Sequence, residues 1–171
     1  RDPMTATLNT RFLDIVERRG PHAAFAVKRR GAWQELSFDW ALEQVSQTAF
    51  GLLSLGCARG DRIAILSENR PEWATSDFAA MAAGIVTVPL YTTLIPAQIA
   101  YILRDAEVRA VLVSSMEHLR TILAIRASVP SLEKVVVLYP EGLAEDEMVI
   151  SLDTLKSGGA GRSRSDFADM A

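Results

Sequence analysis

The residues best placed for chemistry are Ser67, Glu68, Asn69 and Arg70, which with Pro71 join an apolar run to a helical one. A strand-to-helix junction of this kind is where open α/β sheets bind anions, because unpaired backbone N–H groups and the helix dipole converge there. The alternative is structural: Ser67 or Asn69 caps the helix and no ligand is involved. The residue types favour the structural reading. Glu68 repels a phosphate, and no glycine lets one approach the backbone. The run Gly158-Gly159-Ala160-Gly161-Arg162-Ser163 superficially suggests a phosphate cradle. It follows no strand and lacks the Gly-Lys-Ser/Thr ending, so it reads as linker. His22 and His118 have no carboxylate or cysteine at ligand spacing, and Cys57 has no local Cys-His pattern. Trp33, Trp40 and Trp73 read as core or interface anchors rather than platforms for bases. Asp61-Arg62 and Arg104-Asp105 read as charged turn and helix-end residues, and no carboxylate pair is spaced for acid–base work. No catalytic, cofactor-binding or metal-ligating residue is nominated.

The elements that would position these residues alternate along the chain. Leu8, Phe12, Ile15 and Val16 recur at helical spacing, and Gly20-Pro21 ends that helix. Ala24 to Lys28 and Trp33 to Leu36 are β-like runs around an Arg30-Gly31 turn. A second helix follows Ser37, with Leu42, Val45, Ala49, Leu52 and Leu53 on its apolar face and a stop at Gly56. Strands are predicted at Ile63–Leu66, Val86–Leu90, Val108–Val113 and Val135–Tyr139. Helices opened by Pro71, Pro96 and Ser115 lie between them. This alternation implies an α/β fold, a mostly parallel sheet with helices on both faces. Ser151 to Leu155 reads as a short helix.

Residues 1–7 read as an N-terminal tail, with Met4 as a natural start and Arg1 to Pro3 as an added segment. Residues 8–156 read as one α/β subdomain and 157–171 as a flexible linker. Among the 171 residues, 49% are hydrophobic and 23% charged, which fits a core-forming globular chain. With a net charge of −3 and no Lys/Arg block, nucleic-acid binding is not indicated. No run is long and apolar enough to span a bilayer, and no signal peptide opens the chain. A single cysteine excludes an internal disulfide and fits a reducing, cytoplasmic setting.

Three segments carry a family resemblance. Trp33-Gln34-Glu35-Leu36-Ser37-Phe38 resembles the opening of the first core motif of adenylate-forming enzymes. Met81-Ala82-Ala83-Gly84-Ile85-Val86-Thr87-Val88-Pro89-Leu90 resembles the second. The loop Leu66-Ser67-Glu68-Asn69-Arg70-Pro71-Glu72-Trp73 is similar to that of the long-chain fatty-acid–CoA ligase branch of the acyl-CoA synthetases. Tyr91 to Leu94 and Gln98 to Leu103 continue the match, so the similarity spans about residues 8 to 139. Trp40 departs from it, standing where the family places an acidic capping residue, although Asp39 still favours the helix start.

The resemblance implies the N-terminal part of the large lobe of such an enzyme. Its reaction joins a carboxylate to AMP with release of pyrophosphate, and CoA then displaces the AMP. ATP, Mg²⁺, CoA and a fatty acid are the implied cofactors and partners of the parent, and none is expected to bind tightly to this segment. The Gly/Ser/Thr-rich phosphate loop ending in Lys-Gly, the later acidic motifs and the C-terminal lysine are not in the sequence. Asp166 to Ala171 resembles the residues leading into that loop. The segment is therefore expected to be inactive alone, to pack against the remainder of its own chain and to self-associate, with peripheral membrane attachment open for the parent. The alternatives are a stand-alone doubly wound binding module and a non-catalytic interaction protein derived from the ligase fold.

Overall fold

The computed structural model describes residues 7–171. Thr7 caps helix α1 (Leu8–Arg19), its hydroxyl accepting from the Thr10 N–H. Strands β1 (Ala23–Arg29) and β2 (Ala32–Ser37) pair antiparallel as a separate hairpin. Its two-residue turn has Arg30 and Gly31 at φ 50° and 83°, the twist that suits a tight hairpin. Ser37 then caps helix α2 (Phe38–Ser54) by accepting from the Trp40 N–H at 3.1 Å. Trp40 therefore leaves the cap intact, and its ring meets Phe25 edge-on at 6.2 Å.

The sheet proper begins with β3 (Arg62–Leu66), followed by α3 (Pro71–Ala82), β4 (Val86–Leu90) and α4 (Pro96–Asp105). It continues with β5 (Ala110–Val113), α5 (Met116–Ile125), β6 (Lys134–Val137) and β7 (Val149–Ser151). All five strands are parallel in the order β4-β3-β5-β6-β7. Helices α6 (Leu152–Ser157) and α7 (Arg164–Met170) complete the chain.

Side chains alternate across the strands into two cores. Ile63, Ile65, Leu112 and Val136 face α2, α3, α6 and α7. Ala64, Leu66, Val111 and Val135 face α4 and α5. Every residue of β5 is buried, as a central parallel strand covered on both faces requires. Helix α1 and the hairpin form a further layer outside α2 and α3.

Three expectations are corrected. The strands predicted at Val108 and Tyr139 are shorter, because the ladder with β3 starts at Ala110 and that with β6 ends at Val137. Strand β7 was not predicted: three residues behind an acidic run carry too little pattern. The linker expected over 157–171 contains a helix. Ser163 caps α7 by accepting from the Asp166 N–H, and Asp166 returns a bond to the Ser163 N–H. Phe167, fully buried, anchors that helix in the core. Gly159 is also packed, since a Cβ there would lie 2.4 Å from the Gln47 carbonyl oxygen. The expected tail falls on residues 1–6, which lie outside the described ones, except for Thr7.

Candidate functional site at the carboxyl ends of the strands

The chain leaves β3 through α3 on one face and leaves β5 through α5 on the other. Diverging connections of this kind open a crevice between adjacent strand ends, the usual ligand position in such sheets. Here the crevice lies between Leu66 and Val113, paired at the ends of β3 and β5.

Two loop residues meet there. The Ser114 N–H donates to the Leu66 carbonyl at 3.1 Å, continuing the ladder one step. Its buried hydroxyl donates to Glu68 Oε2 at 2.8 Å and lies 3.0 Å from His118 Nδ1. A serine hydroxyl has one proton. With that proton directed to Glu68, the second contact closes when His118 Nδ1 donates. Burial works against the Glu68 charge, but the Ser114 bond and the nearby His118 and Arg70 hold its carboxyl below the usual range. Ser115 caps α5 as expected, accepting from the His118 N–H.

The network runs on from Glu68. Arg70 Nε is 3.4 Å from Glu68 Oε2, and its guanidinium lies 4.5 Å from the centre of the Tyr139 ring. The Tyr139 hydroxyl donates to Glu72 Oε2 at 2.5 Å. Burial, then Glu72, pushes the phenol up. Glu72, buried in the first turn of α3, also lies 3.6 Å from Arg29 of the hairpin. Lys156 of α6, which donates to Gln44, is pushed down by burial.

This order ties the loops after β3 and β5 together. A nucleophilic serine needs a base strong enough to take the hydroxyl proton, and Glu68, held below the usual carboxylate range, is a weak one. Neither Ser67 nor Asn69 caps α3, in contrast to the structural reading of this loop. Arg70 is the cap residue and makes no side-chain cap bond, while the Ser67 hydroxyl donates to the Glu68 carbonyl. The convergence of Glu68, Ser114 and His118 was not visible in sequence. The available signal was position, with Ser114 directly after a predicted parallel strand and Glu68 two residues beyond another.

The opposite rim holds the second polar cluster. Arg109 pairs with Glu133 at 2.7 Å and with Asp61 at 2.5 Å, and donates to the Gly56 carbonyl at 2.9 Å. Arg62 pairs with Glu107 at 2.7 Å and donates to the Ala106 carbonyl. Asp61 and Arg62 thus stand in ion pairs at the turn into β3. Cys57 is buried, and burial pushes its thiol up. His22 and Trp33 are exposed.

The match to known proteins is consistent across sequence and structure. The chain belongs to the AMP-binding enzyme family, whose description matches residues 13–164. Among curated relatives it is 37% identical over 112 residues to the long-chain-fatty-acid–CoA ligase FadD15 of Mycobacterium tuberculosis, covering 66% of this chain and 19% of that protein. It is 30% identical over 139 residues to the long-chain-fatty-acid–CoA ligase ACSBG2 of Xenopus laevis, covering 81% and 19%. The chain thus spans about a fifth of the length of these relatives. A crystal structure of the anthranilate CoA ligase AuaEII with anthranoyl-AMP superposes with a TM-score of 0.79 at 27% identity, over 91% of this chain and 28% of the other. The A-PCP didomain of a carboxylic acid reductase from Segniliparus rugosus shares the fold, with a TM-score of 0.78 at 18% identity over 94% and 28%.

The family implies ATP and, for the CoA ligases, CoA. The residues present do not fit a nucleotide site by themselves. The crevice loop carries Glu68 and no glycine. Among the described residues no group of three His, Cys, Asp or Glu side chains could hold a metal ion. No step through ATP or a metal is assigned to these side chains.

Proposed function

We propose that this chain is the first α/β segment of an ATP-dependent fatty-acid–CoA ligase, which adenylates a carboxylate and passes the acyl group to the CoA thiol. The observation that carries the reading is the family match across residues 13–164 together with relatives named as long-chain-fatty-acid–CoA ligases. In this reading ATP, Mg²⁺ and CoA are held by residues outside the 171, and the segment supplies a rigid layer of the large lobe. The crevice at Glu68, Ser114 and His118 faces the acyl or CoA side of the assembled site, and the parent works in the cytoplasm. Its folded unit runs from α1 to α7, and α7 leads towards the phosphate loop.

The segment alone does not catalyse. The deciding experiment is pyrophosphate release from ATP, with fatty acids of several lengths, by this chain and by a protein of the relatives' full length that contains it. Release by the longer protein and none by the 171 residues is the expected pattern. Acid-dependent release by the 171 residues, after contaminating enzyme is excluded, overturns the inactivity. No release by the longer protein with any fatty acid overturns the ligase reading.

A further inference from the structure

We infer that the apolar cavity beneath α1 binds the tail of a carboxylate-headed acyl chain, with Arg11 at its mouth taking the carboxylate. This rests on the ligase reading for the class of ligand, but the site is not the crevice at the strand ends. It lies outside the α2–α3 layer, under α1 and the hairpin. The volume is about 260 Å³. Its walls are Phe12 and Ile15 of α1, Phe25 of β1, Phe38 of α2, and Ala74 and Phe78 of α3. Phe12 and Phe78 are in ring contact at 5.1 Å between centroids.

The chemistry of the lining selects the ligand. The Thr75 hydroxyl, a polar group in the wall, already donates to the Glu72 carbonyl at 3.3 Å. A nucleobase or sugar would bury polar atoms there without partners, a cost that an alkyl chain avoids. Arg11 is the charged residue of the lining and makes no ion pair among the described residues. An anionic head therefore complements the mouth, and a cationic head does not. The volume of about 260 Å³ falls just below the roughly 300–1,000 Å³ of small-molecule sites. It holds the distal part of a chain while the rest lies along Leu8 and Ile15, which are 66% and 37% exposed. Because the reacting carboxylate cannot be both here and at the strand ends, this is an accessory site.

The test uses the whole chain without ATP or CoA. Calorimetric titration compares decanoate, decanol and decyltrimethylammonium below their micellar concentrations, and a diazirine-tagged decanoate maps the site by mass spectrometry. Decanoate should bind one to one and at least tenfold tighter than either other probe, with label on Phe12, Ile15, Phe25 or Phe78. The exposed substitution Arg11→Glu should weaken decanoate at least tenfold and leave decanol unchanged, while Ala74→Phe should weaken both. Decanoate binding no tighter than decanol, binding indifferent to Arg11→Glu, or label confined to the Tyr91–Tyr101 surface would each overturn the inference. An inactive full-length protein beside normal labelling here would sink the ligase reading and leave this site standing.

Discussion

Replacing Gly51 by alanine tests the packing of α2 on α6 with two effects of opposite sign. In a free helix the change should stabilise by about 1 kcal/mol, because glycine is the poorer helix former. In this fold a Cβ at Gly51 would lie 2.3 Å from the Leu155 carbonyl oxygen and 2.9 Å from its carbon. Those are backbone atoms of α6, so no side-chain rotation relieves the overlap, and α6 must move. Overpacking costs about 1–3 kcal/mol, and a backbone contact this short places the cost in the upper part of that range. The net expectation is a loss of about 1–2 kcal/mol. With a urea slope of about 2 kcal/mol/M, the midpoint falls by about 0.5–1 M. Urea unfolding followed by far-ultraviolet circular dichroism measures this directly. Leu155→Ala in the same background should not rescue, since the obstructing atoms are main chain. A Gly51→Ala midpoint equal to or above that of the parent chain would refute the close approach of the two helices.

Leu112→Ala, at a fully buried position of β5, should cost about 2–5 kcal/mol, read as a lower urea midpoint. Asp61 accepts from the Ala58 N–H and from Arg109, which together hold its carboxyl below the usual range. Its contribution is fully present above the ordinary aspartate value of about 4 and is lost as the pH falls through the lowered folded value. Asp61→Asn should therefore destabilise at pH 7 and converge with the parent chain in acid, and midpoints that differ equally at pH 7 and pH 2 would contradict this. The outer edge of β4 has no partner strand among the described residues, and Val86, Tyr91, Ile95 and Tyr101 near it are 52%, 80%, 59% and 59% exposed. The isolated chain should self-associate in sedimentation over a concentration series, and Val86→Lys should suppress it. A strictly monomeric parent chain would refute the expectation.

Much of the fold is legible because the apolar runs from Ile63 to Val137 are separated by amphipathic stretches with a proline or serine at each helix start. The hairpin was readable from Arg30-Gly31 despite weak alternation. Helix α7 was hidden because Gly, Ser and Arg dominate the composition around one burying residue, Phe167. The candidate site was the least legible part. Glu68 and Ser114 are 46 positions apart and meet only because β3 and β5 are neighbours, and β4 intervenes in sequence but not in space. No local spacing encodes that adjacency. The motif resemblance identified the family, and in this segment it named no reacting group.

The all-apolar character of β5 leaves a problem of alignment that Arg109 answers. When every residue of a strand is buried, sliding it by one position exchanges one hydrocarbon for another. Hydrophobicity then opposes the slip only through mismatched volumes such as Ala110 against Val111. Arg109 stands one residue before that strand and is held from three directions, by Asp61 ahead of β3, Glu133 ahead of β6 and the Gly56 carbonyl after α2. A slip of about 3.3 Å would break all of these contacts at once. The guanidinium thus serves as the zero mark of a ruler laid across three strands. Beyond any share in stability, it fixes which of several equally oily alignments is adopted.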